Sequence, residues 1–222
     1  MLQSGLDRPG QWLAIVGAGG GLGHLGVQFA RARGLRVVGV DARDEGLELA
    51  RRHGADIIAD ARRPKDLVVA EVRRAIASYS SSASASAAQD DEHSSDDHGG
   101  ADATLVLSEA PGAAALGCAL TRMHGRLVQI AQPELVSIPF QELVFRDIRL
   151  RGSVLCSPRE SEDMMRLVAE LRAGGGTGFE VTTVPFRGLG SVVELVRFVE
   201  SGRLSGKAVV VVDEDQVGVW KV

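Results

Sequence analysis

Aromatic side chains are scarce in this chain, at 4% of its 222 residues, so its core must be built from Val, Leu, Ile and Ala within a hydrophobic share of 45%. No apolar run approaches the ~20 residues that a membrane span needs. The first ten residues lack the charged-then-apolar order of a secretory leader, and the expected location is cytoplasmic. Basic charge is not in excess: 25 Lys and Arg stand against 29 Asp and Glu, for a net charge of −4. That balance speaks against nucleic acid or an anionic membrane surface as a partner. Cysteine is nearly missing, with only Cys118 and Cys156, which a reducing compartment keeps as thiols and whose spacing matches no zinc pattern. Cys118 lies in an Ala/Leu-rich helical stretch and reads as a small buried hydrophobe. Cys156 ends a predicted strand, where it can line a cleft.

Glycine is what the chain has in quantity, 27 residues of it, and one cluster is placed with purpose. Gly17-Ala18-Gly19-Gly20-Gly21-Leu22-Gly23 follows the apolar run Trp12-Leu13-Ala14-Ile15-Val16 and precedes a helical pattern. A second apolar run, Leu35 to Val40, then ends on Asp41, about 20 residues further on. Strand, tight turn, helix start, strand and acid is the order a dinucleotide site needs. Glycines let the backbone approach a pyrophosphate, the free N–H groups of a helix start hold its charge, and the acid accepts ribose hydroxyls.

The rest of the chain alternates in the same way. Strands are predicted at 11–16, 35–40, 56–59, 102–108, 126–131 and 148–155, and helices at 21–33, 44–53, 64–77, 110–123, 140–146 and 159–173. This rhythm predicts an α/β fold, a doubly wound, parallel, six-stranded Rossmann sheet over residues 1–175. Ser157-Pro158-Arg159-Glu160 reads as a capping box opening the last of these helices. Residues 78–98 break the rhythm: they are rich in Ser and Ala, hold five acids and no Lys or Arg, and are expected to form a disordered insert. His93 and His98 inside it are read as accidental neighbours of acids rather than metal ligands. After a glycine-rich joint at 174–178, residues 176–222 give a strand pattern (180–186), a helix (190–200) and the apolar strand Ala208–Val212. That piece is too short to build its own core and is expected to be a remnant of a second domain, with its apolar strands partly uncovered.

The stretch from Pro9 to Ala30 resembles the opening of the cofactor domain in zinc-containing alcohol dehydrogenases, closest to the yeast and fungal type of the medium-chain dehydrogenase/reductase family. The likeness continues through Gly54-Ala55-Asp56, Gly100-Ala101-Asp102-Ala103, Gly125-Arg126-Leu127-Val128, Gly152-Ser153 and Gly202-Arg203-Leu204-Ser205-Gly206-Lys207. It implies NAD(H)-dependent hydride transfer between an alcohol and NAD, with an alcohol or aldehyde as the small-molecule substrate, and a possible homo-oligomer. Carried over by position, Gly17, Gly20, Gly21, Leu22 and Gly23 form the pyrophosphate turn, and Gly20, Gly21 and Leu22 offer it N–H groups. Asp41 takes the adenosine ribose and disfavours a 2′-phosphate, while Ile130, Gln132, Ser153 and Leu155 flank the nicotinamide. Lys207 stands where the family has a basic residue, often Arg, on the pyrophosphate. A Lys common five residues after the ribose acid is Gly46 here, with Arg43 near enough to compensate and to soften the preference against NADP. The zinc ligands expected for the family fall before the glycine run and have no counterpart here, so no catalytic or metal-binding residue is assigned. Two alternatives stay open: a non-catalytic NAD(H)-binding module, and a zinc-free NADPH quinone reductase-like protein, against which Asp41 argues.

Overall fold

The computed structural model describes residues 4–84, 99–173 and 179–213. Its apolar runs form parallel strands because both sides of the sheet are covered. Strand β1 (Trp12–Val16) is buried at every position and lies between β2 (Arg36–Asp41) and β4 (Ala101–Val106), with Leu13 opposite both Val37 and Ala103. With β3 (Ile57–Asp60), β5 (Thr121–Gln129) and β6 (Arg149–Gly152) the sheet has the order β3-β2-β1-β4-β5-β6, all strands parallel. This is the expected doubly wound α/β fold.

Successive side chains of a strand face opposite ways, so β1 feeds two cores. Leu13 and Ile15 pack with Val27 and Ala30 of helix α1 (Gly23–Ala32) and Ala50 of α2 (Asp44–Arg52). Ala14 and Val16 pack on the other face with Val68, Val72 and Ile76 of α3 (Lys65–Ser84) and Leu116 and Ala119 of α4 (Ala113–Leu120). A short α5 (Phe140–Val144) precedes β6, and α6 (Pro158–Ala173) follows it. The α6 capping box is formed: the Ser157 N–H donates to Glu160 Oε2 at 2.7 Å and the Glu160 N–H to Ser157 Oγ at 3.3 Å. The strand order reverses between β1 and β4, and at such a switch point the carboxyl ends of the strands open a crevice.

Two expected boundaries are corrected. Helix α3 extends through Ser84 instead of stopping at 77, so the first third of the expected insert is helical, and the rest of it, 85–98, lies outside the described residues. Tyr79 holds that added turn in place, edge-on to Trp12 at 5.3 Å and under the Arg36 guanidinium at 5.3 Å. Helix α4 ends at Leu120 rather than 123, and β5 starts at once with Thr121, whose backbone is extended (φ −74°, ψ 139°). Arginines end this helix. Buried Arg146 donates to the carbonyl oxygens of Cys118 and Thr121, and Arg73 donates to that of Ala119 at 2.8 Å, cations set against the negative end of the helix dipole.

Residues 179–213 add β7 (Thr183–Arg187), α7 (Val192–Glu200) and β8 (Lys207–Val211), with β7 and β8 a separate parallel pair. Neither strand is fully buried, and Val192, Val193, Val196 and Val199 of α7 are all exposed, matching the expectation of uncovered apolar surface. The unit is held to the sheet domain by a mainly polar seam. Gln28 exchanges two hydrogen bonds with the Glu180 backbone (2.9 and 2.8 Å), and Phe29 stacks on Phe179 at 4.1 Å. The expected glycine joint at 174–178 lies outside the described residues.

Candidate functional site: a dinucleotide crevice

The glycine turn takes the shape that its composition calls for. As the chain leaves β1, the N–H groups of Gly17 and Ala18 both donate to the Val40 carbonyl oxygen (2.8 and 3.0 Å), which fixes the turn against β2. Gly17 sits at φ +91°, a conformation that L side chains rarely adopt, and a Cβ on Gly23 would overlap the Gly17 carbonyl oxygen. The Gly20 N–H closes the turn on that same oxygen at 3.1 Å, so among the three N–H groups expected to face an anion Gly20 is already engaged. Those of Gly21 and Leu22 have no protein acceptor among the described residues, and no side chain caps the start of α1. Lys207 runs alongside, its Cδ and Cε 3.6 Å from where a Gly21 Cβ would stand. The sequence thus brings Gly17, Gly20, Gly21, Leu22, Gly23 and Lys207 to one place.

Asp41 ends β2 at the rim of the same crevice. Its carboxylate is almost fully buried and accepts from five donors: the Gly19 N–H (2.9 Å) and Arg43 Nη2 (3.0 Å) on Oδ2, and the Ala42 N–H (2.9 Å), the Arg43 N–H (3.1 Å) and Arg43 Nε (2.9 Å) on Oδ1. The departure at position 46 has a geometric cause, because a Cβ there would lie 2.5 Å from Asp41 Cγ. A cavity of about 670 Å³ joins the turn to this acid, lined by Gly17, Gly20, Asp41 and Arg43, by Arg63 after β3 and Lys65 at the start of α3, and by Ser108 and Pro111 beyond β4.

Three of the four residues assigned to the nicotinamide end share a cavity of their own. Ile130, Ser153 and Leu155 line a second cavity of about 380 Å³ with Phe29, Val128, Cys156 and Met164, on the α1 side of the sheet beneath α6. Gln132 is exposed and borders neither cavity. Cys156 does line a cleft, and Cys118 is fully buried, its thiol pushed up to about 11 by desolvation.

His24 had no sign of importance in the sequence. It is fully buried, its Nδ1–H donates to the Gly20 carbonyl oxygen at 2.8 Å, and its Nε2 accepts from the Thr182 N–H at 3.2 Å. One partner can only accept and the other can only donate, so the ring is held neutral in a single tautomer. Burial pushes its pKa below 6.5, as it does for His53, whose ring lies 5.7 Å away. No spacing rule finds such a residue, because Thr182 is 158 positions distant.

Residues 21–170 match a family described as zinc-binding dehydrogenase. The chain belongs to that family. This zinc-binding dehydrogenase family member is 29% identical over 208 residues to an alcohol dehydrogenase of Geobacillus stearothermophilus, and 31% identical over 209 residues to alcohol dehydrogenase 1 of Emericella nidulans. Each alignment covers 93% of this chain and 52% of the relative, so the chain spans about half the length of the curated relatives it matches. The fold is shared with the crystal structure of an NAD-dependent alcohol dehydrogenase (TM-score 0.72, 22% identity, 95% of this chain and 53% of that one). It is shared also with a putative NADPH:quinone reductase from Bacillus thuringiensis (TM-score 0.66, 18% identity, 93% and 57%).

The family's name implies zinc, but the described residues do not fit a catalytic ion. Among the described residues no three His, Cys, Asp or Glu side chains are grouped to hold a metal, and Cys118 is buried as a protonated thiol. No helix among them is long and apolar enough to cross a membrane.

Proposed function

We propose that this chain is the cofactor-binding part of an NAD(H)-dependent alcohol dehydrogenase, acting on a small alcohol or its carbonyl product. One observation carries the reading: the glycine turn and the buried carboxylate of Asp41 border a single cavity of about 670 Å³ at the sheet's switch point. The Gly21 and Leu22 N–H groups and Lys207 hold the pyrophosphate, Lys207 as a point charge rather than a fork. Asp41 receives the adenosine ribose. Ile130, Gln132, Ser153 and Leu155 stay assigned to the nicotinamide end, with residues 179–213 as a remnant of the substrate domain. When bound, the dinucleotide accepts or donates the hydride, and this chain's residues position it.

The want of a three-donor metal group among the described residues favours a second reading of the isolated chain, a module that binds NAD(H) without turnover. Both readings meet in one experiment: NADH fluorescence titration of the folded chain, wild type and Asp41→Asn, followed by an ethanol oxidation assay with NAD. Asn removes the charge but keeps only one of the two acceptor oxygens, so circular dichroism accompanies the titration to verify the fold. The expected result is NADH binding that Asp41→Asn weakens about tenfold or more, as expected for a charged hydrogen-bond partner. Turnover would favour the enzyme, and binding alone the module. A folded chain that binds no NADH refutes the cofactor assignment.

A further inference from the structure

The carboxylate meant for ribose is already occupied. Five donors sit on Asp41, three of them from Arg43: its N–H, its Nε and its Nη2 at 3.1, 2.9 and 3.0 Å. A carboxylate has about four acceptor positions, so two ribose hydroxyls cannot be added without displacing the guanidinium. Arg43 is itself held from the far side, its Nη1 donating to the Leu204 carbonyl oxygen. Its side chain is 27% exposed where that of Asp41 is 3% exposed, so the cavity meets the cation first. The second N–H on each terminal nitrogen is left over among the described residues, and Arg63 and Lys65 border the same cavity.

We infer that Arg43 sets the cofactor choice of this chain, acting as the counter-ion that covers Asp41 and as the receptor for a 2′-phosphate on the adenosine ribose. The inference rests on the proposed dinucleotide site and sharpens it: both NADH and NADPH bind, and Arg43 fixes their ratio. The negative charge that would repel a phosphate is neutralised within 3 Å, and the exposed edge of a guanidinium matches a phosphate's paired oxygens. Bound NADH has to compete with Arg43 for Asp41. NADPH instead gains a charged partner and leaves the Asp41–Arg43 pair intact.

The test is direct titration with NADH and with NADPH of the wild type and of Arg43→Ala, with circular dichroism to verify the fold. Arg43→Gln is run alongside, since it keeps the start of the stem and a polar end without the charge. In the wild type the two affinities are expected within about tenfold of each other, and each variant should move them in opposite directions. NADPH should weaken by about tenfold or more as its charged hydrogen bonds go, and NADH should tighten as its competitor goes. NADH binding with no detectable NADPH binding overturns the inference and leaves the cofactor site standing. So does an NADH-to-NADPH ratio that stays within about twofold in whichever variant folds. If the folded wild type binds neither dinucleotide, the site itself is misassigned and the inference falls with it.

Discussion

Replacing His24 by Ala removes a buried ring that joins the glycine turn to residues 179–213. The Thr182 N–H loses its acceptor, 3.2 Å away in the wild type, while the Gly20 carbonyl oxygen loses the ring at 2.8 Å and keeps the His24 backbone N–H at 3.2 Å. An abandoned buried polar group costs about 1–3 kcal/mol, and the lost ring volume adds a cavity. A total near 3 kcal/mol, spread over a domain of this size, lowers Tm by roughly 6–12 °C. Acid should mimic the substitution in the wild type. The folded-state pKa of His24 is depressed below 6.5 by burial, so above pH 6.5 the ring is neutral in both states and the contribution is complete. Below pH 6.5 the unfolded chain takes up the proton first, and stability falls until the folded-state value is passed, by about 1.4 kcal/mol for each pH unit between the two. His53, shifted in the same direction beside it, adds to the same slope. The assay is thermal unfolding of wild type and His24→Ala at pH 8 and pH 5.5. The wild type should lose more stability on acidification than the variant does. Equal losses in the two proteins, or a variant as stable as the wild type at pH 8, would refute the assignment of this ring.

Other outcomes follow from contacts already described. Gly46→Ala puts a Cβ 2.5 Å from Asp41 Cγ, so it should cost about 1–3 kcal/mol by overpacking and weaken NADH binding at the same time, read by unfolding and titration. Cys156 is exposed whereas Cys118 is buried with its thiol raised to about 11, so a thiol reagent at pH 8 should modify one cysteine quickly in the native protein and the second only after denaturation. Fast native modification of both would show that α4 does not pack as described.

Much of this architecture was legible because hydrophobic runs and glycine punctuation are local signals. Continuous apolar strands such as Trp12–Val16 announce a sheet covered on both faces, and Ser157 with Glu160 announces the start of α6. Boundaries set by distant side chains were not legible. The end of α4 depends on Arg73 and Arg146, and the extra turns of α3 on Tyr79 meeting Trp12. The glycine turn and Asp41 border one crevice, while the engagement of that carboxylate by Arg43 leaves no mark in the sequence pattern. Spacing reveals that two residues are near, not which hydrogens they exchange. Ile130, Ser153 and Leu155, far apart in the chain from Asp41, line a separate cavity from the one it borders.

The Gly19 carbonyl oxygen takes hydrogen bonds from both the Gly206 N–H (3.1 Å) and the Ser205 hydroxyl (3.2 Å), while the N–H of that same residue is fastened to Asp41 (2.9 Å). One residue of the turn is therefore a rivet through three layers: the end of β2, the turn itself and the approach to β8. Such a rivet passes on displacement rather than absorbing it. A substitution that shifts the turn by a few tenths of an ångström would move the root of β8 with it, and strain on β7 and β8 would arrive at the mouth of the crevice.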